Sequence, residues 1–241
     1  MGKELAGRLA TLSPRQRAIL NRRLKPQASP VHILVPQALQ RAGVTHIFGV
    51  LRSPMRSVFV ACAEAGMRIC TGHNQQAAVL MAASLNYRVG KMIAAVLLSA
   101  GPAVTNSMTG ILVARDNCWP VLIIGCRSPV SRQGIGWFQE LDAVPLMRPV
   151  TKLAATIDGL DRLPGMILEG CRCAGAGRPG PVYFDIPEDC LDATGPAPAL
   201  ERHAEELATF VRDDVLRLGA GPLVYAVQER ADFGRCRHLG E

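Results

Sequence analysis

Ile93-Ala94-Ala95-Val96-Leu97-Leu98-Ser99-Ala100-Gly101-Pro102-Ala103-Val104-Thr105-Asn106 is the stretch that decides the fold. Six consecutive apolar residues, a turn of small residues and a proline opening a helical pattern describe a strand that hands over to a helix. A strand with no polar alternation is buried on both faces, as in a parallel sheet covered by helices. The same alternation recurs outward in both directions. On the N-terminal side the spacing predicts helices over 31–42, 54–65 and 76–88 and strands over 45–50 and 67–70, with Gly43 ending the first helix. On the C-terminal side it predicts a helix over 102–115, a strand over 120–125 and a short helix over 138–146. An extended piece over 149–153, a helix over 159–174 and a strand over 181–186 complete the series. The predicted fold class is α/β, an open parallel sheet with helices on both faces.

Composition bounds the function. The chain has 241 residues and a net charge of +7. Its first 28 residues hold Lys3, Arg8, Arg15, Arg17, Arg22, Arg23 and Lys25 against Glu4, so the rest is close to neutral. A nearly neutral body has no nucleic-acid footprint. No window of 18 uninterrupted apolar residues occurs, so no membrane span is expected. The eight cysteines fall mostly in apolar runs, and no leader pattern opens the chain, which together predict reduced thiols and a cytoplasmic location. Cys171-Arg172-Cys173 has one intervening residue and no second pair, a poor zinc site. Three segments are expected: a basic helical appendage over 1–28, the α/β body over 29–192, and a linker with a remnant of another domain over 193–241. In the appendage Ser13 and Pro14 open a helix with Ile19, Leu20 and Leu24 on one stripe.

The chemistry centres on Gly72-His73-Asn74-Gln75-Gln76-Ala77-Ala78, a second strand-to-helix junction. Three amide side chains open that helix, and no acid is among them. Open α/β sheets bind ligands at such junctions.

Several motifs, in order, carry a broad resemblance. They are Ala42-Gly43-Val44, Ile47-Phe48-Gly49-Val50, His73-Asn74-Gln75-Gln76-Ala77-Ala78, Gly101-Pro102-Ala103-Val104-Thr105-Asn106 and Asp116-Asn117-Cys118-Trp119-Pro120. Phe138-Gln139-Glu140-Leu141-Asp142, Thr151-Lys152 and the run from Gly177 to Pro187 follow. Over residues 31–191 the chain resembles the pyrimidine-binding (PYR) domain of thiamine diphosphate enzymes of the acetohydroxyacid synthase, 2-hydroxyacyl-CoA lyase and oxalyl-CoA decarboxylase type. The resemblance implies that Val50, Gln75, Pro102 and Asn106 shape the pocket of the cofactor's aminopyrimidine ring, and that Gln139 and Arg52 face substrate. It also implies a departure. The family places a glutamate before the Gln-Ala-Ala run, where it hydrogen-bonds N1′ of that ring and promotes removal of the C2 proton. Here Gln75 stands at that position, and a shift of register selects Asn74 or Gln76, so the catalytic candidates are all amides. An amide can bond to a ring nitrogen but has too little proton affinity to exchange a proton there.

The family holds Mg²⁺ and the diphosphate through a Gly-Asp-Gly…Asn motif on a second domain, and no such motif occurs in these 241 residues. The resemblance therefore implies a PYR subunit that works with a separate pyrophosphate-binding subunit in an α₂β₂ assembly. Its expected chemistry is 2-oxo acid decarboxylation or cleavage of a 2-hydroxyacyl thioester, with acyloin-type carbon–carbon bond formation. A small-molecule or carrier- or CoA-bound acyl group is the expected substrate. The segments Leu12 to Leu20 and Arg22-Arg23-Leu24 resemble sequences that flank modules of peptide and polyketide synthases, pointing to natural-product biosynthesis. The alternative is a non-catalytic docking subunit that stabilises or recruits a thiamine diphosphate-binding partner.

Overall fold

A computed structural model describes residues 31–192. The expected basic appendage, the linker, and the predicted helix over 201–218 with its following strand lie outside the described residues. In chain order the elements are α1 (Val31–Arg41), β1 (His46–Gly49), α2 (Arg56–Glu64), β2 (Arg68–Thr71), α3 (Gln75–Val89), β3 (Ala94–Leu97), α4 (Pro102–Asp116) and β4 (Val121–Arg127). Then follow α5 (Ala143–Met147), β5 (Leu153–Thr156), α6 (Leu163–Gly175), β6 (Pro181–Pro187) and α7 (Glu188–Asp192), with 3₁₀ turns at Val130–Arg132 and Arg148–Val150.

The six strands form one all-parallel sheet in the order β2-β1-β3-β4-β6-β5. The predicted α/β class is what the described residues adopt. Buried residues sort into two clusters, one on each side of the sheet. Ile47, Leu97 and Leu122 point to one side, where α1, α2 and α6 pack through Leu39, Phe59 and Ile167. Phe48, Val96 and Ile123 point to the other, where α3, α4 and α5 pack through Ala82, Val104 and Val144. The helix after β1 and the helix after β3 thus leave adjacent strands toward opposite faces. That is the switch point of the sheet, where a crevice opens at the carboxyl ends of the strands. Val50 and the Gly101–Pro102 turn stand there.

Two predicted elements move. The helix expected over 138–146 begins only at Ala143, and Gln139 sits at φ 60 in the turn before it. The extended piece expected over 149–153 is displaced, because 148–150 form a 3₁₀ turn and β5 starts at Leu153, paired to Val182 of β6. Pro149 has no N–H for a ladder, so pairing begins past it. Asn86 ties the helical layer to the sheet. Buried in α3, it accepts from the Ile93 and Ala94 N–H groups at 2.9 and 2.7 Å and donates to the Ala94 and Pro120 carbonyls, each at 2.9 Å. A buried amide with all these bonds made costs little, whereas any one left open costs about 1–3 kcal/mol. Among the described residues no helix is long and apolar enough to cross a membrane.

Candidate active site at the sheet switch point

The first turns of α3 and α4 build the site. Asn74 caps α3 from an extended conformation, its side chain accepting from Ala77 N–H at 3.3 Å. That bond takes Asn74's oxygen for local capping. Gln75 is the first helical residue, and its Oε1 accepts from Asn106 Nδ2 at 2.6 Å. Gln76, one residue on, has its backbone against α4: a Cβ added to Gly110 would stand 2.8 Å from the Gln76 carbonyl. Only glycine permits that approach. The three candidate amides thus have three different surroundings, and it is Gln75 that is tied to Asn106.

Gly101 opens α4 with Pro102 in the first turn. Its φ of 56 is a backbone that side chains rarely adopt, and a Cβ there would meet the Gln139 carbonyl at 2.6 Å. Gly101 is therefore required both for the turn and for the close seating of the 139 backbone upon it. This brings Gln139 to the wall of the α4 turn, while Val50 is half-buried at the end of β1. Arg52 is exposed in the loop after β1. Gln75, Asn106, Pro102 and Gln139 come together at one end of α4; Asn74 and Gln76 lie beside them in α3.

The electrostatics are those of helix ends and amides. Two helix N-termini favour electron-rich groups here, with no acid in the first turn of either helix. With Asn106 engaging Gln75's oxygen, the group Gln75 retains is its NH₂, for which the described residues provide no acceptor. A pyrimidine ring nitrogen accepts a hydrogen bond, so a neutral donor of this kind fits an aminopyrimidine edge. It fits as a hydrogen-bonding partner and not as a proton carrier.

The loop over residues 128–142 borders this site and holds Glu140, which the sequence placed in a motif without assigning it a role. Glu140 accepts from the Gly136 and Trp137 N–H groups at 2.9 and 3.0 Å and from the Gly134 N–H. These backbone donors hold its carboxyl below the usual carboxylate range, the Gly134 bond most strongly. Behind the loop, Asp185 is fully buried on β6. Burial pushes its pKa up from 3.8 to about 6, against the opposing pull of Thr156 and Arg127. Tyr183, two residues earlier on the same face, is raised too, first by burial and then by Asp185. The signal in the sequence was a lone acid inside the apolar run Val182-Tyr183-Phe184-Asp185-Ile186, and a cation ending the apolar run of β4. Among the described residues no three His, Cys, Asp or Glu side chains gather as a metal site.

Comparison with known proteins agrees with this geometry. Residues 31–146 match the family model described as thiamine pyrophosphate enzyme, N-terminal TPP binding domain. The chain is 33% identical over 156 residues to 2-hydroxyacyl-CoA lyase 1 of Mus musculus, covering 65% of this chain and 27% of that protein. It is 32% identical over 159 residues to the Homo sapiens lyase of the same name, covering 66% and 27%. It is 32% identical over 160 residues to the acetolactate synthase large subunit of Haemophilus influenzae, covering 66% and 28%. The match thus spans little more than a quarter of each relative's length. A parallel sheet with its switch point at Gly101–Pro102, the ordered motifs and these matches identify the described domain as a PYR domain of the thiamine diphosphate-dependent enzyme family.

Proposed function

We propose that this chain is the PYR subunit of a thiamine diphosphate-dependent lyase or carboligase whose diphosphate and Mg²⁺ are held by a separate partner subunit in an α₂β₂ assembly. The observation that carries the cofactor reading is the Gln75–Asn106 pair beside the Gly101–Pro102 turn, at the switch point of the sheet. Bound thiamine diphosphate supplies a nucleophilic carbon that adds to a substrate carbonyl. The task of this chain is to seat the aminopyrimidine end. Gln75 donates to the ring nitrogen, Val50 and Pro102 line the ring, and Asn106 fixes Gln75. Gln139 faces substrate from the neighbouring loop. The relatives named 2-hydroxyacyl-CoA lyase and acetolactate synthase support chemistry on 2-hydroxyacyl or 2-oxo acid groups, with decarboxylation or carbon–carbon bond formation. The seven cysteines of the described residues carry thiols and not disulfides, which supports a reducing, cytoplasmic setting.

The partner is supported by the outer face of α3 and α4. From Gln75 to Tyr87 and from Pro102 to Ala114 the two helices carry no charged residue, and Met81 and Leu112 are 41% and 39% exposed. A surface helix usually turns charged and polar residues to solvent, so exposed Met and Leu on an uncharged face suit a covering partner.

Co-purification with a candidate pyrophosphate-domain subunit, followed by calorimetric titration of thiamine diphosphate with Mg²⁺, tests the proposal. Binding to the pair is expected; a pair that takes up no cofactor overturns the enzyme reading. The absence of an acid among residues 74–76 favours one other reading, a non-catalytic subunit that stabilises or recruits its partner. Gln75→Glu separates the two. In an active pair it speeds exchange of the cofactor's C2 proton, and in a docking subunit it changes nothing.

A further inference from the structure

We propose that Arg127 is a positioning residue: its guanidinium holds the 128–142 loop against Gly101 and thereby fixes the Gln139 wall of the pyrimidine pocket. The pocket half of this statement rests on the proposed cofactor reading; the loop half does not. Arg127 is the last residue of β4, and its side chain is 15% exposed. One side of the guanidinium faces the sheet. Nη1 donates to Thr156 Oγ1 at the end of β5 at 3.2 Å and lies 4.0 Å from Asp185 Oδ2 on β6. The other side faces the loop, where Nη2 donates to Gln133 Oε1 at 3.4 Å and lies 3.7 Å from Asp142 Oδ1.

Gln133 lies toward the start of the loop and Asp142 at its end, so one cation draws the two limbs together. Gln133 also donates to the Ser128 carbonyl at 3.4 Å, and Val130 N–H donates to Asp189 Oδ2 at 3.0 Å. Between these anchors the Glu140 carboxylate gathers three backbone N–H groups, so the segment carrying Gln139 is bonded to itself. The loop buries little of its own: Ile135 and Phe138 are 64% and 82% exposed. A segment with so few buried apolar contacts depends on its polar anchors to stay closed. Asp185 faces Arg127 from β6, its Oδ2 4.0 Å from Nη1, so its charge draws the guanidinium inward. A planar guanidinium spans both sets of partners at once, which a single ammonium cannot.

Trp137 lies in this loop, with the Arg132 guanidinium 4.8 Å from its ring centroid, and it reports the loop's position. The test uses the full chain carrying Trp119→Phe, which keeps a ring against Tyr87 and leaves Trp137 as the single tryptophan. Gln133→Ala with Asp142→Asn releases only the loop side, leaving Asp185 its cation; Arg127→Lys tests the fork itself. Acrylamide quenching of Trp137 is expected to rise about threefold in both variants, as for a locally opened segment, with the melting temperature of the loop-side variant unchanged. Unchanged quenching in the loop-side variant overturns the hold on the loop. In the reconstituted pair, thiamine diphosphate with Mg²⁺ is expected to bind several-fold more weakly to the loop-side variant. A loosened loop with unaltered cofactor affinity overturns the positioning role. A wild-type pair that binds no cofactor overturns the proposed function instead, and the quenching result still decides whether Arg127 holds the loop.

Discussion

The helices on the two faces of the sheet meet solvent in different ways. On the first face, α1, α2 and α6 turn mostly polar and charged side chains outward, Gln37, Gln40, Arg41, Arg56, Glu64 and Arg172, with Val60 exposed among them. On the other, the exposed positions of α3 and α4 before their last turns include Met81, Thr105, Asn106, Thr109 and Leu112, with Leu80, Leu85 and Met108 half-buried beside them. Both layers bury small and branched residues equally well against the strands. The difference is therefore not in the core but in what lies outside it. Under the proposed function the α3–α4 side is the face that a partner would cover, and the candidate site opens at the end of that same face.

The largest expected effect breaks that contrast directly. Met81→Lys with Leu112→Lys is expected to weaken association with the proposed partner subunit by about a hundredfold or more, because charge would enter the apolar centre of that interface. The isolated chain's stability changes by about 0.5 kcal/mol or less, since both positions are exposed. Ultracentrifugation with and without the partner, alongside thermal melts, checks both halves. The equivalent pair on the solvated face, Arg56→Ala with Arg41→Ala, leaves association unchanged.

A second prediction concerns the buried acid on the α3–α4 side. The folded state holds the Asp185 proton up to about pH 6, whereas the unfolded chain releases it near 3.8. The stability it contributes is thus fully present below about pH 4 and lost as pH rises through about 6. The loss approaches about 3 kcal/mol by pH 7, at about 1.4 kcal/mol per pKa unit. Asp185→Asn removes this slope, so that relative to wild type the variant gains stability between pH 4 and pH 7. Urea unfolding at both pH values measures it.

Two smaller effects sharpen the picture of the helix pair. Gly110→Val forces α3 away from α4 at the Gln76 carbonyl and costs about 2 kcal/mol, read as a lowered urea midpoint. Asn106→Ala removes an exposed amide bond and costs about 1 kcal/mol or less in the same assay. Its larger consequence is on the cofactor, which binds more weakly to the pair because Gln75 is no longer held.

Much of the fold was legible as pattern. Continuous apolar runs at 93–98 and 120–125, and the run at 181–186 broken only by Asp185, become β3, β4 and β6 inside the sheet, since a strand covered on both sides has no use for polar alternation. The edge piece β5 was misplaced. Where it pairs is decided by its neighbour β6 and not by its own residues. The 138–146 segment has helical spacing, yet Glu140's carboxylate is taken by three N–H groups and the chain turns before Ala143.

The site divides in the same way. Sequence alone determined that amides, with no acid among them, open α3 and that a Gly-Pro turn opens α4, because capping and turn chemistry are local. Which amide meets α4 was settled by Gly110, 34 positions from Gln76, which lets the helices close until Gln75 reaches Asn106. Likewise only the strand order β4-β6-β5 brings Arg127, Asp185 and Thr156 side by side at the ends of their strands. Local chemistry is written residue by residue; long-range pairing depends on register and packing, which no single segment carries.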